Sequence, residues 1–244
     1  MKTSNFYERK EVIHEIAEAK RSKICYNLIT NLIINRTSTK IKNRILDIGC
    51  GDGSLIIKFK KHCETFGVDI SQNAINMAKE AGINAYQADV SSERLPFQDK
   101  YFDIIYMGDV IEHLTNPDFA IKEVARVLKP DGFLVLSTPN LASWLNRLLL
   151  LLGMQPLFSE VSTAKTFGRG PKSYDFCPVG HLRIFTYKAL KEFLTYYHFN
   201  IVKVKGANYE GLPKVLANID KIFSKIPQLS SNVIMIARKS RRKE

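Results

Sequence analysis

Three acids and three glycines stand at spacings that suit a single ligand. Asp47 sits two residues before Gly49 in the run Ile45-Leu46-Asp47-Ile48-Gly49-Cys50-Gly51-Asp52-Gly53. Asp69 ends the apolar stretch Thr65-Phe66-Gly67-Val68-Asp69, and Asp89 ends Ala85-Tyr86-Gln87-Ala88-Asp89. Glycine lacks a Cβ, so such a turn can bend sharply and bring its backbone into contact with a ligand. An apolar strand leading into a glycine turn and then a helical pattern delivers that ligand to the carboxyl end of the strand. A dinucleotide fingerprint wants a further glycine where Ser54 stands. A carboxylate at Asp47 would also repel a pyrophosphate, and suits a ligand that carries an ammonium group and no phosphate.

S-adenosylmethionine (SAM) has that chemistry. Asp69 is placed to accept both ribose hydroxyls, with Ile70 at the ribose and adenine edge. Asp89 and Val90 meet the adenine. Gly49, Cys50 and Gly51 follow the methionine and ribose, and Met107, Gly108 and Asp109 run beneath the sulfonium. If an oxygen receives the methyl group it must lose a proton, and the bases at hand are Asp109, Glu112, His113 and His181. An ordinary imidazole, with a pKa of ~6.5, suits that work near neutrality. His113 reads equally well as a helix-start residue bonded to backbone, and Glu112 as a brace for its loop. No Ser-His-Asp or Cys-His arrangement suggests a covalent intermediate.

Alternating strands and helices position these groups. Strands are expected at 44–48, 64–69, 84–88, 102–107 and 132–138, with helices at 53–61, 72–80 and 117–128. Ser71 and Asn116 read as helix caps, the latter followed by Pro117, and Lys129-Pro130-Asp131-Gly132 as a helix stop and turn. An amphipathic helix over 9–35 buries Ile13, Ile16, Ala17, Cys25, Leu28 and Leu32 and can cover the cofactor. Thr186 caps a helix to about Tyr197. A strand at 201–205, a helix at 212–224 and a last strand at 232–238 follow. The alternation implies a parallel sheet with helices on both faces.

The runs ILDIGCGDG, LPFQDKYFDIIYMGDVIEHL (95–114) and VARVLKPDGFLVLSTPN (124–140), with Asp69 and Asp89, resemble the class I SAM-dependent methyltransferases. The similar branch is the one that includes the ubiquinone-biosynthesis O-methyltransferases. GHLRIFTYKALKEFLTYYHF (180–199) is also similar to the end of that fold, whereas 141–180 and the termini match no pattern. The resemblance implies an α/β, Rossmann-like, doubly wound seven-stranded sheet, mostly parallel, with an antiparallel last strand and a helical or loop cap. The division expected is a helical segment at 1–43, a SAM-binding core at 44–139, a cap at 140–185, the rest of the sheet at 186–238 and a basic tail at 239–244. The branch also raises a magnesium option at Asp109, Glu112 and His113, with aspartate where relatives have glutamate. Our expectation is no metal.

The cap is longer than an ordinary connection, which usually marks function. It holds five consecutive leucines, Leu148 to Leu152, and clustered cations. Trp144, Arg147, Arg169 and Arg183 are the expected substrate contacts, for an amphiphilic, anionic acceptor. Five leucines in a row cover more than one helix face. Either they are all buried in a two-helix cap, or some meet an apolar substrate, a lipid surface or a second subunit.

The 244 residues carry 36 basic and 24 acidic side chains, unevenly spread. Residues 45–139 hold 9 basic and 14 acidic groups, and residues 140–244 hold 17 and 6. The four cysteines have neither disulfide nor metal spacing, which fits a reduced cytoplasm. No secretory segment or membrane span is read, so a cytoplasmic enzyme is expected, monomeric or homodimeric, with peripheral membrane contact left open. The acceptor is expected to be a small molecule, a glycan or a lipid-linked compound, with no stable nucleic-acid partner. The alternatives are an RNA methyltransferase, prompted by the positive flanks, and a non-catalytic subunit with a SAM-type fold.

Overall fold

Residues 20–35, 42–170 and 178–240 are described by the computed structural model. Seven strands form one sheet: β1 (Asn43–Ile48), β2 (Cys63–Asp69), β3 (Asn84–Gln87), β4 (Phe102–Gly108), β5 (Leu128–Pro139), β6 (Phe199–Ala207) and β7 (Asn232–Lys239). Their order is β3-β2-β1-β4-β5-β7-β6. β7 alone runs against the rest, antiparallel to both neighbours, so β6 points the same way as β5. This is the mixed, doubly wound sheet that the pattern implied.

The central strands are buried on both sides, as parallel strands covered by helices must be. Leu46, Ile105 and Met107 enter the core under helices α3 (Pro117–Val127) and α5 (Tyr187–Tyr196). Their neighbours Ile45 and Ile104 face the opposite core, under α1 (Lys20–Ile34) and α2 (Gln72–Glu80). Two more helices, α4 (Trp144–Leu151) and α6 (Lys214–Phe223), follow the carboxyl ends of β5 and β6. Pro139 and Ala207 are both in register with Asn232, so the cap and the β6–β7 connection rise from the edge where the glycine turn lies.

The caps are formed as expected: Ser71, Asn116 and Thr186 accept from the backbone N–H of Ala74, Phe119 and Ala189. Three expectations change. The helix expected at 53–61 is a short 3-10 turn at Ile56–Phe59, in which Ile56 and Phe59 are buried while Leu55 and Ile57 pack only partly against the same core. Three residues apart, Ile56 and Phe59 share a face in a three-residue turn. Lys129 to Gly132 does not precede the fifth strand but bulges within β5, with Asp131 at φ 59°. Lys239 belongs to β7 rather than to a tail, and its ammonium donates to the carbonyls of Ala125 and Leu128, where α3 ends. In α1, Cys25 and Leu28 are buried as expected, Leu32 only partly, and Ile29 and Ile33 complete the face. Ile13, Ile16 and Ala17 lie outside the described residues. Among the described residues no helix is long and apolar enough to cross a membrane.

Candidate functional site

The glycine turn leaves β1 with Gly49, Gly51 and Gly53 all at positive φ. Gly49 is required twice over: its φ is +74°, and a Cβ there would lie 2.4 Å from Val110 Cγ2. A Cβ on Gly51 would meet nothing within 4 Å, so this part of the turn opens onto free space. Two bonds hold the turn down, from Gly49 N–H and Cys50 N–H to the carbonyl of Val68, at 2.7 and 3.1 Å. The Asp69 carboxylate ties it sideways, accepting from Gly51 N–H at 3.0 Å and Ser71 N–H at 2.9 Å. Asp69 thus joins the turn to the start of α2, while each oxygen keeps a lone pair for a ligand hydroxyl.

Asp47 lies in β1 between Gly67 and Tyr106, 3% exposed. Burial pushes its carboxyl well above the ordinary carboxylate range, and the negative charge of Asp69 adds to the rise. A nearby cation would reverse that. Asp89 curls over its own turn, accepting from Ser91 N–H and Ser92 Oγ, and the carbonyl of Ile70 accepts from Gln87 Nε2. Val90 is partly buried against the core. Met107 is buried, and Gly108 is packed against the hydroxyl of Tyr106, which leaves no room for a Cβ.

Asp109 follows β4 in the left-handed region, at φ 53°. Its carboxylate is paired with Arg21 and accepts from Ser137 Oγ at 3.3 Å. Burial raises its pKa while Arg21 opposes the rise. Sequence reasoning missed Arg21. It stands four residues before Cys25, on the buried face of α1, and a cation on such a stripe is the signal that could have found it.

Beyond Asp109 the chain forms a 3-10 turn, Ile111–His113, which meets the end of the cap. The carbonyl of Glu112 accepts from Leu182 N–H and Arg183 N–H, and Arg183 Nη1 donates to Leu114 O at 2.7 Å. The Glu112 side chain is fully buried; Oε2 accepts from Thr138 Oγ1 and Oε1 has no hydrogen-bond partner. Burial, and then the charge of Asp109, push its pKa well up. The rings of His113 and His181 lie 4.7 Å apart. Each Nδ1 stands 3.0 Å from a backbone carbonyl, of Gly180 and Phe158 respectively. A carbonyl only accepts, so Nδ1 carries the proton and Nε2 is the acceptor nitrogen of each ring.

The turn bearing His181 is organised by a residue that sequence reasoning did not single out. Glu160 accepts from the N–H groups of Val179, Gly180 and His181 at 2.6, 2.8 and 3.2 Å. Phe158 packs edge-on against both His181 and Tyr209. Arg169 lies near Glu160 and Tyr209, with its Nε buried and unbonded; burial lowers its pKa. Trp144 and Arg147 make hydrogen bonds within the chain. Trp144 donates to Asp220 at 2.7 Å and stacks on Phe223, bracing α4 against α6. The exposed Arg147 donates to the carbonyl of Ala142. The cap is keyed to the sheet by buried Asn140 and Asn146, which bond the backbone of 140, 142, 157, 187, 228 and 230.

Glu112, His113 and His181 each offer one donor atom, all within 4.8 Å of one another, so this trio could hold a divalent ion. Two imidazoles and a carboxylate suit zinc, manganese or ferrous iron better than magnesium, which prefers oxygen donors. The magnesium set implied by the resemblance does not fit: the carboxylate of Asp109 is engaged by Arg21 and Ser137.

Residues 46–136 match the family model described as "Methyltransferase domain". A ubiquinone/menaquinone biosynthesis C-methyltransferase of Vibrio vulnificus is 31% identical over 160 residues, covering 60% of this chain and 56% of that protein. A ubiquinone biosynthesis O-methyltransferase of Bartonella bacilliformis is 32% identical over 117 residues, covering 46% and 47%. The chain therefore spans about half the length of the curated relatives it matches. Among solved structures, a SAM-dependent methyltransferase of Methanosarcina mazei superposes with a TM-score of 0.58 at 26% identity, over 86% of this chain and 98% of that one.

Proposed function

We propose that this chain, a member of the class I SAM-dependent methyltransferases, transfers the methyl group of SAM to an oxygen of a small or lipid-linked acceptor. The observation that carries the reading is the buried Asp47 carboxyl behind a glycine turn whose open side is Gly51. A phosphate would hold Asp47 further from ionising and would face the charge of Asp69, whereas the ammonium of a methionine head would let Asp47 ionise. In this reading Asp69 and Ile70 take the ribose and its adenine edge, and Asp89 and Val90 take the adenine. Gly49, Cys50, Met107 and Gly108 line the path of the methionine to the sulfonium.

The sulfonium is the electrophile, so the hard chemistry belongs to the cofactor. The protein has to align acceptor oxygen, methyl carbon and sulfur, and keep water out. Near-attack positioning can supply ~7–11 kcal/mol of the barrier. An attacking hydroxyl must also shed a proton, which is the reason for choosing oxygen. His113 and His181 present acceptor nitrogens beside one another, and the buried Glu112 carboxyl, bonded to Thr138 at the end of β5, can share the proton. Arg169 suits an anionic group on the acceptor.

Two measurements test the reading. Calorimetric titration with SAM should give tight binding, and labelled SAM offered with phenolic and catecholic acceptors should give methyl ethers. Binding of NADH in place of SAM would remove the cofactor assignment. A product with the methyl group on carbon or nitrogen would remove the oxygen assignment.

A further inference from the structure

Helix α6 is apolar on two faces: Leu216, Ile219 and Phe223 are half-buried, with Phe223 stacked on Trp144, while a second set of apolar residues stands in the open. Its one buried side chain is a charged one: Asp220 is fully enclosed and accepts from Trp144 Nε1, Ser231 Oγ and Tyr209 N–H at 2.7, 2.7 and 2.6 Å. Val215 and Ile222, seven residues apart and so on one face, are 73% and 65% exposed, and Ile226 follows in the turn beyond the helix, also exposed. An amphipathic helix ordinarily turns that stripe inward. α6 is moored by the Asp220 carboxylate and by its half-buried face, and it leaves Val215 and Ile222 as a second apolar strip on the outside.

The same edge carries the leucine run. Leu150, Leu151 and Leu152 are 56%, 83% and 64% exposed at the end of α4, which Trp144 braces against α6. The reading that buries all five leucines within a two-helix cap is therefore set aside for this chain. Large apolar residues left exposed on two helices that pack together mark a candidate interaction face.

Charge decides what kind. Each exposed apolar residue of α6 and of the turn after it is preceded by a lysine: Lys214 before Val215, Lys221 before Ile222 and Lys225 before Ile226, all exposed. The only acid on the helix is the buried Asp220. A two-fold contact with a second copy would set one lysine stripe against another, at a cost in like-charge repulsion. An anionic lipid surface instead takes the apolar stripe into its headgroup boundary and the ammonium groups onto its phosphates.

We propose that α6 and the end of α4 form a docking face for an anionic bilayer surface, holding the glycine-turn edge of the sheet against the lipid. The face does not depend on methyl transfer, so its test stands apart from the function proposed above. Co-sedimentation with phosphatidylcholine vesicles, with and without phosphatidylglycerol, should show binding to the anionic vesicles that weakens as salt rises. Lys214→Glu, Lys221→Glu and Lys225→Glu together should lower the apparent partition constant by about a hundredfold or more. Leu151→Ser with Ile222→Ser should lower it on every vesicle. Calorimetric SAM affinity, with circular dichroism, checks that the variants remain folded. Absence of sedimentation with anionic vesicles at low salt overturns the proposal. So does a dimer, seen by light scattering, that Leu151→Ser with Ile222→Ser dissolves, since the face would then belong to a second copy.

Discussion

Asp47 serves two opposed demands. Its burial makes the ionised form costly, so in the free protein the carboxyl holds its proton above the ordinary range. A ligand ammonium removes that cost. Asp47→Asn should therefore stabilise the free protein towards neutral pH, read by urea unfolding, while SAM affinity drops and the proton release on SAM binding disappears. Calorimetry in buffers of different ionisation enthalpy reads the protons, and unchanged proton release would contradict this role. Asp69→Ala removes an acceptor for the ribose and also the brace on Gly51 and Ser71. SAM affinity should fall tenfold or more, since a charge-assisted bond contributes ~1.5–3 kcal/mol; equal affinity by calorimetry would rule the contact out. These residues were legible because Asp69 ends β2, Asp47 stands one residue before the end of β1, and both positions follow from local pattern. Arg21 was not. Nothing near it in sequence says that α1 lies over β4 and meets Asp109.

The elements that read most easily were those with strong local signals. α2 and α3 have a capping side chain at the start and a periodic apolar face, and both fall where the pattern put them. The 53–61 stretch misled, because apolar residues at helical spacing specify a face and not how much core is there to receive it. The cap was harder still. Its frame consists of polar side chains bonding backbone far along the chain, and no periodicity announces such bonds. Trp144 is the clearest case, since nothing around it in sequence announces its bond to Asp220, 76 residues on. Trp144→Phe would keep the stacking on Phe223 and lose one bond to the buried Asp220 carboxylate. A loss of ~1–3 kcal/mol in unfolding free energy is expected, since a buried charged acceptor is left short of a donor. Denaturant melts would measure it, and a change below the error of the melts would mean that Ser231 and Tyr209 satisfy Asp220 by themselves.

Across the whole molecule, charge is sorted by depth and by region. Asp47, Asp109 and Glu112 all have pKa values raised, foremost by burial. In each case the native state keeps a proton that the unfolded chain releases. Stability is then greatest near the ordinary carboxylate range and falls as pH rises towards the raised values. Asp99 and Glu123, lowered chiefly by hydrogen bonds to Arg126, act the other way and only at lower pH, below their ordinary values. Thermal melts should show the free protein losing stability between mildly acidic and neutral pH. SAM at a hundredfold above its Kd should restore ~2.7 kcal/mol. A melting temperature that climbs through that interval would refute the scheme. The amino-acid sequence alone determined the alternation of strands and helices and the glycine turn with its acids, since these follow from period, spacing and backbone freedom within short stretches; the seven-stranded sheet with an antiparallel last strand came from the family resemblance. Tertiary structure alone decided that Arg21 meets Asp109, that Glu112, His113 and His181 converge, and that α6 leaves Val215 and Ile222 exposed. Those outcomes depend on which distant surfaces come into contact and how much water they exclude, and no short stretch of chain carries that information.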